Sequence, residues 1–145
     1  MSIMSNFKER LNDLMVEEQI KSDQLGKAIG VSGQTIRAWC DDSQSILLSN
    51  IIKLADYFHC SIDYLVGMSD STAEYAVKQY PPFYARLRQV MEEKGKTRYR
   101  ITKETKIKDS YFTTWRSGSD PHILSVIEVA KYLDVTIDYL IGREK

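Results

Sequence analysis

Cysteine occurs twice, proline three times and histidine twice in the 145 residues, and the formal net charge is zero. Cys40 and Cys60 stand in no metal-ligand spacing, which argues against a zinc module and a disulfide-stapled fold and points to the reduced thiols of a cytosolic protein. His59 and His122 have no carboxylate or second histidine at ligand spacing, so solvated side chains are the reading for both, and no metal or other cofactor is implied. No apolar run approaches the roughly 20 residues that span a bilayer. The opening M-S-I-M-S-N lacks a charged start followed by an apolar core, so the expectation is a cytoplasmic protein with no membrane partner. Glycine-rich phosphate loops, nucleophile elbows, metal-binding histidine pairs and repeated paired carboxylates are all missing, which argues against an enzyme, and no small-molecule effector is indicated.

What the chain does have is 43% hydrophobic residues, the content of a folded globular protein. Its zero charge conceals an asymmetry. Phe7 to Gly67 carries six Lys/Arg against nine Asp/Glu, whereas Phe83 to Lys145 carries thirteen against nine. One half is acidic and the other basic, so total charge says nothing about a polyanionic partner.

The most informative stretch is Ser22 to Trp39, S-D-Q-L-G-K-A-I-G-V-S-G-Q-T-I-R-A-W. Leu25 and Ile29 lie four apart on one helical face, Gly30 can end that helix in the left-handed conformation, and Ser32 can cap a second helix with Ile36 and Trp39 inward. The outward Gln34 and Arg37 are three apart and share a face. Both can make bidentate hydrogen bonds to base edges in a DNA major groove. Before this stretch, Phe7, Leu11, Leu14 and Met15 mark an amphipathic helix ending near Glu18. After it, C-D-D-S-Q-S is a loop, the apolar residues from Leu48 to Phe58 mark a fourth helix ending near His59, and Ser61 caps a short fifth that Gly67 stops.

Residues 68–82 hold the boundary. Ser, Thr and Asp open it and Pro81-Pro82 close it, while A-E-Y-A-V-K-Q-Y in the middle could make two helical turns. Fully extended, the linker reaches on the order of 50 Å. From Phe83 the pattern begins again. With a shift of 76, Phe7, Leu11, Met15, Leu25, Val31, Ile36 and Trp39 fall on Phe83, Leu87, Met91, Ile101, Ile107, Phe112 and Trp115. After a one-residue deletion, I-K-L-A-D-Y-F-H-C-S-I-D-Y-L-V-G faces I-E-V-A-K-Y-L-D-V-T-I-D-Y-L-I-G. The expectation is an all-α chain of two tandem five-helix domains, 1–67 and 83–145, joined by a linker at 68–82. Trp39 and Trp115 occupy matching core positions and are read as structural, as are the repeated tyrosines at 57, 64, 132 and 139.

In its helix-turn-helix frame, its closing tryptophan and the terminal S-I-D-Y-L-V-G or T-I-D-Y-L-I-G, the chain resembles the Cro/repressor class of helix-turn-helix domains, the XRE-like, lambda-repressor-like family, in two copies. The resemblance implies sequence-specific binding to double-stranded DNA, with the helices starting at Ser32 and Lys108 as recognition helices. It implies base-facing roles for Gly33, Gln34, Arg37 and Ala38 in the first copy, and for Asp109, Ser110, Thr113 and Thr114 in the second. Phosphate contacts would come from Ser22, Arg98, Arg116 and Ser117. Two departures stand out. Where the family has a small residue and a turn glycine, the first copy has Gly26 and Gly30 but the second Thr102 and Lys106; a left-handed Lys106 would cost on the order of 1 kcal/mol, so the second turn is expected to be differently shaped. Where a glutamate customarily follows the tryptophan, Cys40 and Arg116 stand, which removes the family's buried ion pair from both copies.

The basic second copy has the better electrostatics, and the first, with Asp41 and Asp42 in its backbone-facing loop, the better reading side chains. Three arrangements follow. Both copies read half-sites across roughly 34 Å of duplex; or the basic copy binds DNA while the acidic one mediates dimerisation or receives a protein; or the chain is an interaction module, an antirepressor or dimerisation scaffold on the same frame. A DNA-binding transcriptional regulator, acting as a repressor on a promoter or operator, is the reading carried forward, with a homodimer left open.

Overall fold

The computed structural model describes residues 3–41, 45–70 and 80–143, with the side chains of residues 3–5 left aside. Among the described residues there are ten α-helices and no strand, divided between two compact units, Met1–Glu74 and Tyr75–Lys145.

Unit one contains α1 (Ile3–Glu17), α2 (Ser22–Ile29), α3 (Gly33–Cys40), α4 (Leu48–Phe58) and α5 (Ile62–Leu65). Side-chain caps start α3 and α5. Ser32 Oγ accepts from the Thr35 amide at 3.1 Å and Ser61 Oγ from the Tyr64 amide at 2.9 Å, satisfying amide donors that the first turn of a helix leaves unpaired. Gly30 ends α2 at φ +86°, a conformation that glycine takes without steric cost. The apolar faces then converge: Phe7 and Leu11 of α1, Leu25 of α2, Ile36 and Trp39 of α3, Ile51 and Leu54 of α4, and Ile62 and Leu65 of α5 are all buried. Each such side chain contributes about 1.5–3 kcal/mol relative to leaving it in water, and this burial holds helices too short to persist alone.

Unit two repeats the order with α6 (Phe83–Lys94), α7 (Arg98–Glu104), α8 (Asp109–Arg116), α9 (Ile123–Leu133) and α10 (Ile137–Ile141). Thr97 and Thr136 cap α7 and α10 as the serines do in unit one, accepting at 3.1 and 3.0 Å. Leu87, Ile101, Phe112, Trp115, Val126 and Leu140 fill the core. The two units also share a clamp between the first and last helix. The Arg10 guanidinium lies 4.1 Å from the Tyr64 ring centre and that of Arg86 4.6 Å from Tyr139, a cation–π pair at repeated positions.

Three details depart from the sequence expectations or sharpen them. Lys106 does not take the left-handed conformation, and the second turn is differently shaped, as expected. Instead Thr105 ends α7 in extended backbone (φ −130°, ψ 179°); its hydroxyl donates to the Ile101 carbonyl and accepts from the Ile107 amide at 3.0 Å, while the Lys106 amide donates to Glu128 at 2.9 Å. The second turn is thus built from side-chain hydrogen bonds rather than from a glycine. Cys40, in the customary glutamate's place, donates its thiol to Met15 Sδ at 3.6 Å. Unit two does bury an ion pair, but elsewhere: Asp138 and Arg143, at 2.6 Å and almost wholly excluded from solvent. Residues 71–79, most of the expected linker and its two helical turns, lie outside the described residues, as do Asp42, Ser43 and Gln44 of the loop after α3.

Candidate nucleic-acid interface

In unit one the candidate interface is α2 and α3, whose close approach rests on a glycine. A Cβ on Gly26 would lie 2.5 Å from the Val31 carbonyl oxygen, so only glycine lets α2 meet the turn into α3 at this distance. Ile36 and Trp39 anchor α3 in the core, and this orientation turns Gln34 and Arg37 outward, both exposed. Ser32, placed by the sequence at the helix start, is occupied with capping: its hydroxyl serves the Thr35 amide and pairs with the Thr35 hydroxyl at 2.9 Å. Ser22 is the first residue of α2 and half-buried. Gly33 begins α3 beneath the Asp23 side chain.

Arg37 is not a bare cation. Its Nη1 lies 3.2 Å from Asp23 Oδ1, a pair that sequence reading missed because it bridges two helices fourteen residues apart. Both side chains are largely exposed, 57% and 83%, so the pair contributes no more than about 1 kcal/mol and gives way readily to a stronger acceptor.

In unit two Phe112 and Trp115 anchor α8, leaving Lys108, Asp109, Ser110, Thr113, Thr114 and Arg116 exposed. Several of these groups are already engaged. Arg98 Nε donates to Asp109 Oδ1 at 2.7 Å, and its Nη2 to the Asp109 carbonyl at 2.9 Å and to Thr113 Oγ1 at 3.1 Å. The guanidinium also lies 5.2 Å from the Phe112 ring centre. Thr114 and Ser117 turn their hydroxyls back to the carbonyls of Tyr111 and Thr114, at 2.9 and 2.8 Å. A groove of about 980 Å³ runs beside the start of α7, with Tyr84, Arg88, Lys96, Thr97 and Arg98 among its lining residues. Tyr99, 66% exposed at the start of α7, is a further surface group that sequence reading did not single out.

A further charged cluster joins the end of α7 to α9. Tyr132 donates its hydroxyl to Glu104, which holds the Glu104 carboxyl below and the Tyr132 phenol above their usual ranges, and Lys96 sits 5.3 Å from the Tyr132 ring centre. Among the described residues no group of three or more His, Cys, Asp or Glu could hold a metal ion, and no helix is long and apolar enough to cross a membrane.

A short helix held by its apolar face on a capped partner, with a polar, partly basic outer face, is the arrangement of a helix-turn-helix domain. Residues 13–65 match the family model described as helix-turn-helix, of the XRE type, so unit one carries a domain of that family, and unit two lies outside the match. No curated protein and no solved structure matches the chain. The family is one of DNA-binding regulatory domains rather than of enzymes, and the match supports a DNA-binding regulator of the XRE type.

Proposed function

We propose that the chain is a sequence-specific transcriptional repressor of the cytoplasm that places α3 in the major groove of double-stranded DNA while unit two, a second domain of the same kind, adds grip on the duplex. The observation that carries this reading is the pair Gln34 and Arg37, side by side and exposed on a helix whose other face is locked in the core by Ile36 and Trp39. Glutamine suits adenine N6/N7 and arginine guanine O6/N7, so the pair can read two base edges. Ser22, Ser32 and Gly33 flank it. In unit two Lys108 and Arg116 stand at the two ends of α8 with Ser110, Thr113 and Thr114 between them, and Arg98 heads α7, which suits phosphate contact.

The test is a titration of the full chain against a pool of random-sequence duplexes at two salt concentrations, followed by selection of the bound sequences. Binding should weaken steeply with salt. Replacing Gln34 and Arg37 by Ala should relax base preference, whereas Arg116→Ala should weaken all sequences together and flatten the salt slope by about one unit. Repression of a reporter placed downstream of the selected sequence checks the regulatory sign. A second reading, in which one or both units serve as an interaction scaffold or a dimer surface, has the self-engaged Arg98 and Asp109 on its side. Absence of duplex binding by the full chain at low salt would turn the argument to that reading.

A further inference from the structure

The gap between the two interface helices is bridged in both units by an arginine and an aspartate, but the two charges have exchanged helices. In unit one the carboxylate, Asp23, sits on α2 and the guanidinium, Arg37, on α3. In unit two the guanidinium, Arg98, sits on α7 and the carboxylate, Asp109, on α8. The repeat makes the exchange legible residue by residue: Ser22 corresponds to Arg98, Asp23 to Tyr99, Gly33 to Asp109 and Arg37 to Thr113. Space enforces it as well. A Cβ on Gly33 would fall 1.8 Å from Asp23 Oδ1, so a side chain at position 33 and the present place of Asp23 exclude one another. Gly33 has no left-handed φ, so the glycine is there for room and not for backbone freedom.

From this we infer that Asp23 is a positioning residue that aims Arg37 at one guanine, and that unit two, with Thr113 at the place of Arg37 and Arg98 held at the head of α7 by Asp109, has no base-reading arginine, so the bound site is asymmetric: one base-read half and one half held by its backbone. The inference rests on the DNA-binding reading above. A carboxylate holding one arm of Arg37 restricts its rotamers while leaving the rest of the fork for the bidentate contact that guanine offers. In unit two the arginine spends Nε and Nη2 on Asp109 and Thr113, and the carboxylate stands on the first residue of α8, where it repels phosphate and cannot donate to guanine.

Selection from random duplexes by the full chain, alongside D23N, R37A, the double variant, G33A and D109N, tests both halves of the inference, with a thermal melt confirming that each is folded. R37A should cost on the order of tenfold in discrimination at one base pair. D23N should cost roughly twofold to fivefold at the same base pair, the worth of an exposed ion pair, while its affinity for random sequence rises because a carboxylate near the phosphates is gone. G33A, which displaces Asp23, should reproduce the loss of discrimination. The double variant should match R37A alone, because positioning matters only while Arg37 is there to be positioned. D109N should raise affinity for all sequences together and add no new preference. Unchanged discrimination in D23N, independent effects in the double variant, or a selected site with two equally informative halves would overturn the inference. Failure of the full chain to bind any duplex would instead remove the reading beneath it.

Discussion

Arg143→Met isolates the worth of an ion pair that unit two buries. The substitution copies the first unit, where the corresponding residue, 75 positions earlier, is Met68. In unit two Arg143 Nη1 lies 2.6 Å from Asp138 Oδ1, with side-chain exposures of 2% and 0%. Nε donates to the Tyr80 hydroxyl at 3.3 Å, and the Arg143 amide donates to the Asp138 carbonyl at 2.8 Å. Removing one partner of a buried pair costs about 3–5 kcal/mol, because the remaining charge keeps its desolvation penalty and loses its compensation. Asp138 lies in the first turn of α10, behind the Thr136 cap, and keeps other interactions, which places the expected loss near the lower end, about 3 kcal/mol. Replacing both, as D138N with R143M, should recover most of it.

Each unit has a single tryptophan, so urea unfolding followed by fluorescence in Trp39→Phe and Trp115→Phe backgrounds reports on one unit at a time. Trp39 Nε1 is buried with no hydrogen-bond partner, so its phenylalanine variant forfeits no hydrogen bond. The midpoint of the Trp115 transition should fall in Arg143→Met, and that of the Trp39 transition should stay in place. A change below about 1 kcal/mol in unit two, or an equal shift in both units, would refute the reasoning that an uncompensated buried carboxylate dominates here.

Other perturbations follow from the same geometry. Gly26→Ala should destabilise unit one by about 1–3 kcal/mol, since its Cβ would fall 2.5 Å from the Val31 carbonyl oxygen, and the Trp39 transition in urea measures it. Asp134, which ends α9 at φ +55°, should give way to glycine with a gain of roughly 0.5–1 kcal/mol in unit two, read from the Trp115 transition. Burial first, and the neighbouring Asp41 carboxylate second, push the Cys40 thiol above its ordinary range. Folding therefore favours the protonated thiol: that contribution is complete below the ordinary thiol pKa and is lost as pH rises through the higher folded value. Alkylation of Cys40 by iodoacetamide at mildly alkaline pH should accordingly be slower than that of an unfolded control, and Cys40→Ala should flatten the alkaline fall in stability.

The frame was legible because a repeat samples the same constraints twice. Leu25 and Ile101, or Trp39 and Trp115, share burial because the interior accepts only a narrow range of shapes, and a pattern with a 3.6-residue period makes such positions visible in one dimension. The turn between α7 and α8 was harder. Lys106 stands where a left-handed glycine would be expected, yet Thr105 supplies the missing hydrogen bonds by turning its own hydroxyl to Ile101 and Ile107. Nothing in the spacing of apolar residues announces that solution, because the competition lies between backbone strain and a side-chain hydrogen bond of similar worth.

The candidate interface was legible as a face but not as a circuit. Gln34 and Arg37 announce themselves by a three-residue spacing; the partner of Arg37 does not, because Asp23 lies one helix earlier and their meeting depends on the crossing of α2 and α3. The one sequence signal was indirect: a glycine at the first position of α3 with an acid at the second position of α2, against an acid and a tyrosine at the same places in unit two. The core tolerates little divergence between the copies, since each lost methylene there costs about 1 kcal/mol, whereas exchanging an exposed ion pair across the gap changes stability by no more than about 1 kcal/mol in either direction. The surface between the helices is therefore where the two copies were free to part, and a swap of charges nearly silent in folding alters what each helix can offer a base or a phosphate.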